Sequence, residues 1–265
     1  MANGRWQIGL HIQEDSIRAV AVSRKRSGWA LCRWWHLPAP ENRWREGMMV
    51  GDEALVQALR KWRAQLPRGH RLRMAFPAQR TLQRMIPRPG GTLCESECEA
   101  WVARATAREL HLPAQSLWLD YTLAEDSARF CVTAAQSQEA RTLLENARAP
   151  GLNPEAITPD ACALNAFWPY LPAGVQLIAC EEAGLWLWAS RSRWGTADGQ
   201  GLMAVAEQQQ RKAHEIAICG SPPAQAQGCL RLDPFSFLSY QQPPVVKEAA
   251  RYAVALGLAL GEVAR

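Results

Sequence analysis

The stretch Trp6–Val22, WQIGLHIQEDSIRAVAV, constrains the fold more than any other part of the chain. Ile8, Leu10 and Ile12 alternate with Gln7, Gly9 and His11, the period-two pattern of a strand with one buried face. Gln13-Glu14-Asp15-Ser16 follows as a polar turn, and Ile17–Val22 returns as a second strand. Such a hairpin seeds a sheet, and in some folds its turn faces a ligand. A basic turn, Ser23–Gly28, then leads to a third strand, Trp29–Leu37, ended by Pro38 and Pro40.

Beyond this meander, 48–65 reads as a helix, with Leu55, Val56, Leu59 and Trp62 at helical spacing and Asp52-Glu53 near its positive end. Arg71–Phe76 is a strand whose expected hairpin partner is 79–86. Helices are expected over 95–110 and 138–149, with strands over 117–123 and 129–135 around the turn Glu125-Asp126-Ser127. Residues 71–150 thus read as an α+β subdomain inserted between residues 1–70 and a return segment, 151–173. From residue 174 the opening theme recurs: a strand VQLIAC, the acidic turn Glu181-Glu182, and a strand LWLWAS. That recurrence points to an internal duplication. Helices over 160–170, 202–214 and 245–263 complete the reading.

The length of 265 residues allows one large domain or two small ones, and 48% apolar residues make the chain globular. No apolar run reaches the roughly 18 residues that span a bilayer. The N-terminus lacks the charged-then-apolar layout of a signal peptide, so a cytoplasmic location is expected. The eight cysteines are scattered, as reduced core thiols would be, and only Cys94 and Cys98 lie close together. No second pair at zinc spacing accompanies them, and no metal is expected.

Charge is uneven. Residues 1–88 hold 17 Lys/Arg against 6 Asp/Glu, and residues 89–265 hold 13 against 19. Six of the 12 tryptophans also fall in the basic third. Core tryptophans covered by Arg stems account for this, as would an anionic partner: an acidic peptide, the inner membrane surface or nucleic acid. No GxxxxGK[ST], HExxH or GxSxG occurs. The run Gly195–Gly201, GTADGQG, does not fit a dinucleotide fingerprint and reads as a hairpin loop. No histidine has partner spacing with a nucleophile.

Taken together, several segments resemble the PilM family, the actin-like cytoplasmic proteins of type IV pilus assembly, and most nearly its short HofM branch linked to DNA utilisation. IGLHIQEDSIRAVAVS stands where the family has an IGLDIGSSSVKAVELS-like hairpin. Val50–Leu59 stands at its first helix, Arg73–Ala78 at its "ALP" strand end, Gly151–Asp160 at its "GL-P-x-x-I-D" crossover, and Gly257–Gly261 at its "GLALR" terminus. The resemblance implies an α/β, actin/FtsA-like fold: two related, ribonuclease H-like halves, an inserted 1C-type subdomain at 71–150, and a truncated second half from residue 174.

In active relatives the first hairpin turn cradles phosphate through backbone N–H groups, and its acid positions a metal. Here that site departs from the pattern. Gly9 and Ser16 remain, but His11 replaces the acid, Gln13 a glycine, and Glu14 and Asp15 small residues. In the second turn Ala179 stands for the acid and Glu181-Glu182 for the glycine and its small neighbour. Gly220 survives from a glycine pair, with Ser221 as its mate. The resemblance therefore implies no catalytic residue and no cofactor, with a divergent ATPase using Mg-ATP as the alternative. It implies a scaffold that binds the cytoplasmic N-terminal tail of a bitopic PilN-like protein at the inner membrane. The tail would lie in a groove between the first subdomain and the insertion, lined partly by Arg71, Arg73 and Phe76. The basic third would face the membrane or acids of the tail. Direct nucleic-acid binding and a small-molecule substrate are not expected.

Overall fold

Alternation at the head of the chain resolves, in a computed structural model, into three antiparallel strands: β1 (Gln7–Ile12), β2 (Ser16–Lys25) and β3 (Gly28–Pro38). The structure describes residues 4–39, 44–45, 48–49, 53–91, 94–124, 127–198, 201–220, 226–241 and 246–261. Pro40, Asp52, Glu125, Asp126, Ser221 and the ends of the expected final helix lie outside the described residues.

A short ribbon, β4 (Trp44–Arg45) with β5 (Met48–Met49), takes the start of the helix expected from residue 48. Helix α1 runs Glu53–Arg63 and buries Leu55, Val56, Leu59 and Trp62. Strand β6 (Arg71–Phe76) then joins β1 in parallel, with Arg71 opposite Gln7. The hairpin expected between this strand and 79–86 does not form. Leu72 through Phe76 are all buried, so β6 has protein on both faces and takes a central place in the sheet.

Strand β7 (Thr81–Pro87), helix α2 (Glu95–Leu110), β8 (Leu117–Leu123) and β9 (Arg129–Gln136) make the insertion, a three-stranded antiparallel sheet in the order β7-β9-β8. Ile86, Phe130 and Val132 pack there against Val102 of α2. Helix α3 (Ser137–Arg148) returns to the first half, where Ala140, Leu143 and Ala147 join the core under β1 and α1. The boundaries expected at residues 71 and 150 thus enclose two elements, β6 and α3, that pack with the first half. Strand β10 (Pro154–Pro159) pairs with β6 and ends the first sheet. Asp160–Ala163 form α4, and a 3₁₀ stretch over 164–170 replaces the rest of the expected helix.

The second half contains β11 (Leu177–Glu182), β12 (Leu185–Ala189), β13 (Trp194–Asp198), α5 (Gly201–Gln208), β14 (Ile216–Cys219), β15 (Leu230–Leu232), β16 (Tyr240–Gln241) and α6 (Ala253–Leu260). Its sheet runs β13-β12-β11-β14-β15. The first sheet repeats that plan as β3-β2-β1-β6-β10, an antiparallel meander followed by two parallel strands, with β16 added beside β3. The duplication read from the two hairpins is therefore carried by topology, and the fold is actin-like. Of the expected loop Gly195–Gly201, Gly195 to Asp198 form the end of β13 instead, Gly201 opens α5, and Gly199 and Gln200 lie outside the described residues. Gly195 lies under the Trp188 ring, where a Cβ would come within 2.9 Å. Among the described residues the second half has no counterpart of the insertion.

Helix α6 sits between the sheets, in one core with Val20 and Val22 of the first and Ile178 and Cys180 of the second. Its residues are apolar on every side, as a fully buried helix must be. The approach is close. A Cβ on Gly9 would lie 1.9 Å from the Ala255 carbonyl oxygen, and one on Gly257 would lie 2.3 Å from that of Ala163.

Candidate functional site

The turn between β1 and β2 is built by its own polar groups. The Gln13 amide N–H donates to the Ser16 carbonyl at 2.8 Å, and the Ser16 hydroxyl donates to Asp15 Oδ1 at 2.8 Å. That hydrogen bond holds the Asp15 carboxyl below its ordinary value. Alternation then sorts the strands. Ile8, Leu10 and Ile12 face α1, while Gly9 and His11 face α6 and the second half. His11 lies directly opposite Arg18 on that inner face, and both are buried. Burial first, and the Arg18 charge second, lower the His11 pKa to about 3, so the ring is neutral.

The second hairpin meets this face through Glu182. Gln13 Nε2 donates to Glu182 Oε2, and Arg18 Nη1 lies 3.6 Å from the same oxygen. Burial pushes the Glu182 carboxyl up to about 7 against the opposing pull of Arg18 and Gln13. Asp160 heads α4 nearby, and its Oδ1 accepts the Ala78 and Ala161 amides at 2.9 and 2.7 Å. Burial pushes this carboxyl up to about 6 despite those donors.

Several expected positions fall elsewhere. Ala179 and Glu181 occupy the other parity of β11: Ala179 packs in the core on the α5 side, and Glu181 is exposed. Cys180 and Glu182 are the residues that face the cleft. Gly220, at φ 100°, lies against Ala250, whose Cβ would stand 3.1 Å from an added Cβ. Arg18 and Asp160 were missed as site residues, although Arg18 is the one charge in the apolar run Ile17–Val22. Among the described residues no group of three His, Cys, Asp or Glu side chains could hold a metal ion.

A separate cavity of about 720 Å³ lies between the insertion, the first half and residues 191–194 of the second half. One wall is the face of the insertion's sheet turned away from α2, with Trp118 and Asp120 on β8 and Thr133 on β9. The other wall is β10, and Arg148, Arg191 and Arg193 also line the cavity. Among the described residues both β10 and β8 are edge strands of their sheets, so each has one side without a strand partner there. Of the three expected lining residues only Phe76 lines this groove. Arg71 and Arg73 grip Glu155 at 2.7 and 3.2 Å. Arg73 is buried and also donates to the carbonyls of Leu258 and Ala259 at 3.0 and 3.4 Å, closing the C-terminal end of α6.

Among the described residues no helix is long and apolar enough to cross a membrane. No family model matches the chain. The chain is 40% identical to the DNA utilization protein HofM of Escherichia coli (strain K12), over 99% of both sequences. Its structure is similar to a chain of the PilM-PilN type IV pilus biogenesis complex, with a TM-score of 0.71, 18% identity and coverage of 96% and 97%. It is also similar to the cytoplasmic domain of EpsL, an inner membrane component of the type II secretion system of Vibrio cholerae, with a TM-score of 0.62, 13% identity and coverage of 95% and 92%.

Proposed function

The chain belongs to the HofM family of PilM-like DNA utilization proteins, and from that membership we propose that it is a non-catalytic adaptor of a type IV pilus-like or DNA-uptake assembly. It works from the cytoplasmic face of the inner membrane and binds the short tail of a bitopic PilN-like partner. The observation that carries this reading is the groove between β10 and β8, about 720 Å³, with a strand edge on each side that no described strand pairs. An extended segment can add to β10 by main-chain hydrogen bonds and set alternate side chains against Phe76 and Trp118. This docking needs no chemistry from the protein.

The hairpin turns support a site that has lost its nucleotide. Gln13 and Glu182 meet between the two hairpin turns, which the family resemblance makes the phosphate side of the cleft. Glu182 and Asp160 add buried carboxyls that ionise only against burial, and an incoming triphosphate would be repelled by them once charged. The residues present therefore do not fit Mg-ATP.

Calorimetry with a synthetic peptide of the PilN-like tail tests the adaptor reading. Micromolar binding at one peptide per chain is expected. An absence of heat with the folded protein would overturn it.

A further inference from the structure

One end of the first half collects cations from separate elements. The β2–β3 turn presents Arg24, Lys25 and Arg26, all exposed. The last turn of α1 presents Arg60 and Lys61, with Arg63 donating to the Gly151 carbonyl at 3.3 Å. The connection into β6 adds Arg68, and Arg5 donates to the Gly69 carbonyl beside it. Register brings these together, since Gln7 pairs with both Val22 and Arg71. The start of β1, the end of β2 and the start of β6 thus share one end of the sheet, opposite the hairpin turn at Gln13.

Glu155, the acid that pairs with arginines of this end, is taken up by Arg71 and Arg73. Among the described residues Arg24, Lys25, Arg26, Arg60, Lys61 and Arg68 form no ion pair. Two half-buried indoles are present. Trp29 lies under the Arg24 guanidinium at 5.1 Å, and Trp6 packs on Trp35.

We propose that this basic end is a docking surface for an anionic phospholipid bilayer. Cations with amphipathic indoles beside them suit the headgroup layer, where the charge meets lipid phosphate and the ring meets the acyl boundary. A duplex reader would instead lay a helix or a ribbon along a groove, and α1 offers only its last turn. The proposal rests on the adaptor reading for the choice of membrane, and the surface lies outside the peptide groove.

Flotation with phosphatidylcholine vesicles, with or without phosphatidylglycerol, tests it. The full chain is expected to float with the anionic vesicles alone and to be released by high salt. The variants Lys25→Gln/Arg26→Gln and Arg60→Gln/Lys61→Gln should each weaken binding roughly 25-fold, since each removes two cations and each cation near the surface counts for about fivefold. Both should keep wild-type affinity for the tail peptide, which separates a failure of this surface from a failure of the adaptor reading. Equal binding to neutral vesicles, or a double variant that binds like wild type, would overturn the proposal. So would binding to a DNA duplex without binding to anionic vesicles.

Discussion

Gln13 and Glu182, 169 residues apart in sequence, are joined by a hydrogen bond that closes one hairpin turn on the other. Arg18 stands behind the pair, 3.6 Å from the carboxylate. Three side chains therefore link the hairpins of the two halves.

The first prediction concerns pH. The Glu182 carboxyl rises from 4.5 to about 7 on folding. A raised carboxyl pKa means that the folded state holds its proton longer, so this group's contribution is full below pH 4.5 and falls as pH rises through 7. Across that window Glu182→Gln should gain on wild type by on the order of 2–3 kcal/mol. Thermal melts of both proteins between pH 5 and 8 would measure the gap as an order-of-magnitude check. A gap that stays constant with pH would count against the burial of this group.

A second prediction follows from the same contact. A ligand at 100 times its Kd would stabilise the folded state by about 2.7 kcal/mol, a rise of several degrees in Tm. Millimolar ATP with magnesium is expected to leave the Tm unchanged. A clear rise would restore the nucleotide site.

Two arginines two residues apart should behave differently. Arg73→Met strips the buried carbonyls at the end of α6 of their donor and leaves Glu155 with Arg71 alone, with an expected loss of about 2–4 kcal/mol. Arg71→Met removes a part-exposed pair and should change stability by less than about 1 kcal/mol. Urea unfolding of the two variants compares them directly. Equal losses would contradict the buried role of Arg73.

Glycines give a matched pair. Gly9→Ala would force a Cβ against the Ala255 carbonyl, and an expected loss of about 3 kcal/mol or more marks overpacking against backbone. Gly174→Ala has no atom within 4 Å of its new Cβ and should be neutral or slightly stabilising. Differential scanning calorimetry would separate them, and a harmless Gly9→Ala would mean that α6 can shift.

Trp118, 43% exposed on β8, tests the groove without touching the core. Trp118→Ala should leave the Tm within a degree or two and weaken the tail peptide by roughly tenfold or more. Unchanged affinity would move the peptide off this wall.

Much of this architecture is legible in local pattern. Period-two alternation in Ile8, Leu10 and Ile12 and in the strands about Glu181-Glu182 marks both hairpins, because each strand finds its partner across a short turn. The partner of Arg71–Phe76 is not local: β1 lies 64 residues upstream, opposite Arg71, and no feature of RLRMAF names it. Alternation also fixes which residues share a face but not which face turns inward. The pair Glu181-Glu182 is legible as an acidic turn, but not that Glu182 turns inward while Glu181 stays exposed. The groove was harder still, since its walls come from β8, β9 and β10, and its shape exists only once two sheets are placed together. Arg73 reads like a surface cation, and only the C-terminal end of α6, 185 residues away, gives it a buried task.

The placement of α6 also bears on how the chain is made. Residues 253–260 are synthesised after both sheets have been translated, yet Gly9 in the first strand packs against the Ala255 carbonyl. Strand β16, also late, adds an edge to β3. A nascent chain emerging from the ribosome can pair β1 with β2 but leaves that sheet uncovered on its inner face. The first half is therefore not an independent unit of co-translational folding, and its earliest strand waits for one of its latest helices.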